Sequence, residues 1–268
     1  MPSARPRLLE GAAVDLLQAT GVPAGPRQAG DCALDIALDE AVVRRADAVV
    51  RVWQPPQPGV VLGVASRVAE ELHLERCRAD GLDVSRRSTG GGVVLLAPEV
   101  ACFSVVTPHT RHPKTRSISG AYALAFEGLA RAFRILGLEV GFERPGDVAL
   151  SGRKIVGLAQ ARRRQATIVH GVVPVGLDRG LIGRYIAHPR TEPAYRGGRP
   201  HRDFVTTLER ETGASGEGLM SRTLRALARG LCCGEAEALG RSELDGLLAE
   251  ARRLVEERYG RDDWTYRL

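Results

Sequence analysis

Apolar residues recur at helical spacing soon after the thirtieth residue. Ala33, Leu34, Ile36, Ala37, Leu38, Ala41 and Val42 have helical spacing. Short apolar runs then predict strands at 49–53 and 60–64, separated by a turn-rich QPPQPG. A helix is expected over 69–80. A β-rich block follows at 82–86, 93–96 and 102–107, and Pro98 predicts a hairpin turn between the last two. Residues 108–116 are polar and basic and predict an exposed loop. The clearest amphipathic helix is 119–136, with Phe126, Leu129, Phe133 and Leu136 on one face. Further strands are expected at 138–143, 148–150, 154–159 and 166–175. Residues 186–207 are rich in Pro, Gly and Arg and predict irregular structure. A helical tail begins near 216, and Gly260 ends its last long helix, 242–258. At the other end, residues 8–18 carry a short helical pattern before a Pro/Gly-rich run. The pattern divides the chain into an N-terminal extension, 1–29, and one domain, 30–268, with a helical tail from about 210. Helices interspersed with hairpin-like strands predict an α+β fold.

Composition narrows the function classes. Lys+Arg number 38 and Asp+Glu 32, a formal net charge of +6 over 268 residues. Only Lys114 and Lys154 are lysine, leaving 36 arginines, and asparagine is absent. Such a bias replaces lysine wherever charge alone suffices. A surviving lysine is therefore a candidate for a place where a compact ammonium is needed; Lys114, in a basic polar loop, reads as replaceable, which leaves Lys154. Hydrophobic content of 44% with 26% charged residues fits a globular chain. No apolar run is long enough to span a bilayer, and no secretory leader is evident, so neither a membrane role nor export is expected. Cys32, Cys77, Cys102, Cys232 and Cys233 form no CxxC pair, so no metal site or disulfide framework is expected, and a reducing cytoplasm is. Aromatics at 4% offer no stacking platform, and no nucleic-acid partner is expected.

Three segments carry candidate chemistry. Arg86-Arg87-Ser88-Thr89-Gly90-Gly91-Gly92 joins two predicted strands. Its glycines permit close approach of backbone to a ligand, and its arginines suit a phosphate or carboxylate. A flexible glycine hairpin with exposed arginines is the plainer reading. Lys154 opens a strand in which alternation pairs it with Val156 and Leu158, and sets Ile155, Gly157 and Ala159 on the other face. There it can serve a developing anion, or simply protect a sheet edge. His170-Gly171 interrupts an apolar strand, either as a packed core histidine or at a close backbone approach.

Together these segments resemble the biotin/lipoate protein ligase superfamily, in its lipoate–protein ligase A and octanoyl/lipoyl transferase branch. RRSTGGG at 86–92, GRKIVGLAQAR at 152–162 and HG at 170–171 match its motifs in order. CALDIALDEAV at 32–42 looks like the family's first helix, 49–63 like its first hairpin, and DDWTYR at 262–267 like its usual end. The resemblance implies a central mixed sheet flanked by helices, of the class II biotin/lipoate ligase type. It implies that Arg86 and Arg87 lie near a phosphate, that Gly90, Gly91 and Gly92 wrap the acyl group, and that Lys154 meets the reacting carboxyl. Asp147, Gly157, Ala159, His170 and Gly171 are expected among the substrate-binding residues.

The activity so implied is ATP-dependent activation of lipoate or octanoate with Mg²⁺. The acyl group then passes to a lysine of a lipoyl-carrier domain. The alternatives are acyl transfer between carrier proteins without ATP, and a non-catalytic homologue that binds the carrier. A transferase needs a cysteine nucleophile. Where one branch has cysteine before PGD, this chain has Arg144. The histidine-aspartate pair and asparagine common after the glycines in ligases are replaced by Leu95–Leu96 and the residues up to Val100. Few residues follow the irregular segment, so either a short ligase or one that needs an accessory protein in place of a second domain is expected.

Overall fold

The computed structural model describes residues 5–11, 32–143, 145–232 and 236–268. The chain runs β1 (Arg7–Glu10), α1 (Cys32–Arg45), β2 (Val49–Trp53), β3 (Gly59–Leu62), α2 (Val68–Glu71), α3 (Leu74–Ala79), β4 (Asp83–Arg86), β5 (Val94–Leu96) and β6 (Val100–Pro108). Next come α4 (Ile118–Ile135), β7 (Gly141–Glu143), β8 (Asp147–Leu150), β9 (Arg153–Arg162), β10 (Ala166–Pro174) and α5 (Arg179–Tyr185). The last part holds α6 (His201–Phe204), α7 (Leu208–Thr212), α8 (Glu217–Cys232), β11 (Glu237–Ala238), α9 (Arg241–Leu254) and α10 (Asp262–Thr265).

Eight strands form a mixed sheet in the order β11-β1-β2-β6-β10-β9-β8-β7, and three form a small sheet, β4-β3-β5. Side chains alternate across the central strands. Val52, Phe103 and Val173 face α4 and α8, where Leu129, Phe133, Leu227 and Leu231 complete a core. On the other face, Val106 and Ile168 meet Leu38, Val42, Leu247 and Leu254 of α1 and α9. Beside them Trp53 and Cys102 meet Val60, Leu62 and Leu95 of the small sheet. The fold is a mixed α+β architecture with a large mixed sheet flanked by helices, as the motifs implied. No helix among the described residues is long and apolar enough to cross a membrane.

Several local expectations are corrected. The strands at 49–53 and 60–64 are not hairpin partners, because β2 joins the large sheet and β3 the small one. The same separation divides β5 from β6. Pro98 lies in the turn closed by Val100 N–H to Ala97 O at 3.0 Å. Without an N–H of its own, proline ends the ladder, and the chain changes layer there. The expected helix at 69–80 is two short helices, since Leu72 and His73 leave helical geometry and Leu72 bridges Ile186. The helix expected at 8–18 begins instead as β1, which pairs in parallel with both β2 and β11. The remainder of that helix, from 12 to 18, lies outside the described residues. The loop at 108–116 is not wholly exposed, because His109 and Thr115 are buried and Thr167 Oγ1 donates to Thr115 O at 2.8 Å.

Candidate active site

A cavity of about 250 Å³ lies between the two sheets. Val61 and Leu95 of the small sheet and Cys102, Ala159 and Val172 of the large sheet line it. The glycine-rich turn after β4 runs along it, with Gly91 and Gly92 in its lining. The turn is held very close to β3: a Cβ on Gly63 would stand 1.8 Å from Gly91 O. Gly91 itself has φ +82, a conformation open chiefly to glycine. Gly90 N–H donates to Gln160 O at 3.1 Å, which ties the turn to β9, but Gly90 does not line the cavity.

The two arginines of this segment support backbone. Arg86 is fully buried and outside the cavity lining. It donates to Gly63 O at 2.9 Å, Ser66 O at 2.7 Å and Thr265 O at 2.8 Å. Arg87 lines the cavity, but its guanidinium donates to Val61 O at 3.2 Å, Gly90 O at 2.7 Å and Gly92 O at 2.8 Å. Burial lowers its pKa to about 10. The planar fork thus serves as an internal brace for the glycine turn, a task that a single-point ammonium performs poorly.

Lys154 lines the cavity, and its placement departs from simple alternation. Val148 pairs with Val156 but Ala149 pairs with Lys154, so Ile155 is the extra residue of a β-bulge. The bulge turns Lys154 towards the face of Gly157. A Cβ on Gly157 would lie 2.9 Å from both Lys154 Cε and Nζ, so the lysine crosses the space that glycine leaves open. Its ammonium meets Asp147 Oδ1 at 2.6 Å. Asp147 Oδ2 accepts the Tyr195 hydroxyl at 2.8 Å. Asp147 does not itself line the cavity, whereas Gly157, Ala159, His170 and Gly171 do.

His170 accepts or donates through Nε2 to Thr89 Oγ1 at 2.7 Å, linking β10 to the glycine turn. Burial, helped by the nearby Arg87 charge, lowers its pKa to about 3, so the ring is neutral. Its Nδ1 is 3.7 Å from Asp39, and with a neutral ring this contact is not an ion pair. Gly171 admits Phe103: a Cβ there would stand 2.8 Å from the Phe103 ring and from Gly157 O.

Other residues that build the site escaped notice in the sequence. Asp35 and Asp39 of α1 line the cavity and both bond to Arg51, which is fully buried on β2. Ser104 donates to Asp39 at 2.8 Å, and Arg51 stacks over Trp53 at 3.8 Å. An arginine inside the apolar run VVRVW was the available signal, since buried charge requires partners. Glu40 accepts from Ser88 at 2.7 Å and Arg163 at 2.8 Å. Burial opposes ionisation of Glu40, but these bonds outweigh it and lower its pKa. Arg196 and His201 also line the cavity, and burial lowers both of their pKa values. They come from the segment predicted irregular, where no periodicity marks which side chains turn inward.

The cavity is lined mostly by apolar groups and also by Lys154, by the arginines Arg87 and Arg196 and by the histidines His170 and His201. Such a slot suits an acyl chain with an anionic head group. Residues 31–228 match the family model described as the lipoyl protein ligase A/B catalytic domain. An octanoyltransferase LipM of Kyrpidia tusciae is 30% identical over 89% of this chain and 96% of its own. A protein of Aeropyrum pernix that bears the name of a lipoate-protein ligase A is also 30% identical, over 84% of each chain. The bi-partite lipoate protein ligase of Thermoplasma acidophilum, solved in work on its lipoylation system, has the same fold. Its TM-score is 0.73 at 21% identity, covering 98% of this chain and 96% of that one. The chain belongs to the lipoyl protein ligase A/B catalytic-domain family, an enzyme family of lipoate-protein ligases and octanoyltransferases.

Proposed function

We propose that this chain is an ATP-dependent lipoate–protein ligase. The observation that carries the reading is the state of the thiols. Acyl transfer through a thioester on the enzyme needs a thiolate beside the reacting carbonyl. Of the four cysteines among the described residues, Cys102 alone lines the cavity. It is 1% exposed, and burial pushes its thiol well above the usual range, with Asp35 adding to the effect. Cys32 and Cys77 are buried outside the cavity lining and are likewise pushed up, chiefly by burial. Arg144 occupies the position before Pro145 where a cysteine would serve.

Because no cysteine among the described residues joins a place in the cavity lining with a readily ionised thiol, the proposal has the acid activated by a nucleotide. A carboxylate oxygen of lipoate, or of octanoate, attacks the α-phosphorus of ATP, and pyrophosphate leaves with the broken P–O bond. The ε-amine of a carrier-domain lysine then attacks the acyl carbonyl. An amide forms, AMP leaves and a proton is released. Lys154 supplies a positive charge beside the reacting carboxyl and phosphate, where preorganised charge has its largest effect. The apolar slot holds the chain in one orientation.

No group of three or more metal-ligating side chains occurs among the described residues. Mg²⁺ keeps much of its water and binds mainly through phosphates, so the proposal places the cation on the nucleotide. By analogy with the bi-partite Thermoplasma enzyme, an accessory protein is part of the proposal.

Octanoyl transfer is the second reading, favoured by the LipM relatives. The deciding assay supplies lipoate, Mg²⁺ and an apo lipoyl domain, with and without ATP. Modification and AMP release are expected only with ATP. Modification from an octanoyl-carrier protein without ATP replaces the ligase with the transferase. Carrier binding with no turnover in either assay removes both.

A further inference from the structure

The segment between α5 and α7 has no regular pattern, yet it is fastened to the β8–β9 hairpin at three points. Thr206 N–H donates to Lys154 O at 2.9 Å. Arg199 donates to Gly152 O at 2.9 Å and to Tyr195 O at 2.7 Å. Tyr195 donates its hydroxyl to Asp147 Oδ2 at 2.8 Å. The Tyr195 ring rests 5.0 Å from Phe204, which also carries the Arg196 and Arg199 guanidinium groups at 4.9 and 5.4 Å. The hydroxyl is therefore aimed by a packed platform.

We infer that Tyr195 is a positioning residue that acts on Lys154 through Asp147. The inference rests on the reading of Lys154 as the charge at the reacting group. A lysine ammonium has three donors on a flexible stem. One is given to Asp147 Oδ1, across the gap above Gly157. A carboxylate free to rotate can offer either oxygen, or both, to this ammonium. Tyr195 occupies the second oxygen and so fixes the carboxylate plane. The ammonium is then held at one point, and its other donors serve a ligand oxygen in the cavity that Lys154 lines. The tyrosine remains a donor, because burial and then the charge of Asp147 push its pKa up.

The test is Tyr195→Phe, which keeps the ring on Phe204 and removes only the hydroxyl. Wild type is first assayed with acid and ATP and with octanoyl-carrier protein. The variant is then measured in whichever reaction wild type supports. A fall in kcat of about tenfold is expected, with KM for the acyl donor within twofold. A second readout needs no turnover. With two lysines in the whole chain, lysine labelled with ¹³C at Cε gives two NMR signals, and Lys114→Arg assigns them. In Tyr195→Phe the Lys154 signal is expected to shift or broaden while that of Lys114 stays in place. An unchanged kcat with an unmoved Lys154 signal overturns the inference. So does a loss confined to KM or to melting temperature with that signal unmoved. If wild type turns over neither substrate, the proposed function falls, and the lysine spectrum alone decides the role of Tyr195.

Discussion

At the scale of the residue, shape decides as much as charge. Lys154 fits because its slim stem passes over Gly157, within 2.9 Å of where a Cβ would begin. A guanidinium is broad and planar and needs two or three oxygens to satisfy it. The bulge at Ile155 leaves room for an ammonium and one carboxylate contact. Lys154→Arg is expected to keep the fold and lower turnover by about a hundredfold or more. Measured kcat against wild type, with circular dichroism to verify folding, checks it, and near-normal turnover refutes it. Arg86 and Arg87 show the opposite case. Their forks each gather several backbone carbonyls, a role for which lysine is unsuited. The arginine-rich composition thus concealed two structural arginines beside a motif that resembles a phosphate site.

At the scale of the element, the glycine-rich turn owes its form to neighbours distant in sequence. β3 meets it through Gly63, β9 through Gln160 O, and β10 through the His170 bond to Thr89. The C-terminal turn supports the strand before it. Trp264 Nε1–H donates to Arg86 O at 2.8 Å, while Arg86 donates back to Thr265 O. Val68 N–H reaches Leu268 O at 3.0 Å. The most sensitive contact is between two backbones that side chains would separate. Gly63→Ala places a methyl group 1.8 Å from Gly91 O. Either the turn withdraws or the strands part, at a cost of about 3 kcal/mol or more. A melting temperature lower by about 5–10 °C is expected by calorimetry, together with weaker acyl-substrate binding. A variant that melts and binds as wild type would show that the close approach is dispensable.

At the scale of the whole molecule, the cavity between the sheets ties global stability to pH. The folded protein holds His170 neutral to about 3, against an ordinary value of 6.5. Burial lowers His201 in the same direction. On unfolding these rings take up protons whenever the pH is below 6.5. Stability is therefore full above that value and lost as pH falls towards 3. The urea midpoint of wild type should fall across this window. His170→Gln should give a shallower fall between about pH 6.5 and 5.5, above the range where ordinary carboxylates titrate. Equal slopes for the two proteins would place the pH dependence elsewhere.

Much of the site was legible because its constraints are local. A run of three glycines, a lysine kept against a strong arginine bias, and a glycine after a histidine in an apolar strand each violate ordinary strand chemistry. Helical spacing placed α1, α4 and α9, the last two because each buries one continuous face and α1 although it is buried on nearly every side. Layer assignment was not legible, since β2 and β3, or β5 and β6, look like hairpin partners until each edge finds its sheet. The face of Lys154 was hidden by a single-residue bulge, which carries no periodic signal. Tyr195, Arg196 and His201 lay in a segment without period, and only packing turns them inward. The sequence alone determined which residues are unusual and the family they indicate. The tertiary structure decided which charges brace backbone and which meet the cavity, because hydrogen-bond donors are allotted only once distant strands are in place.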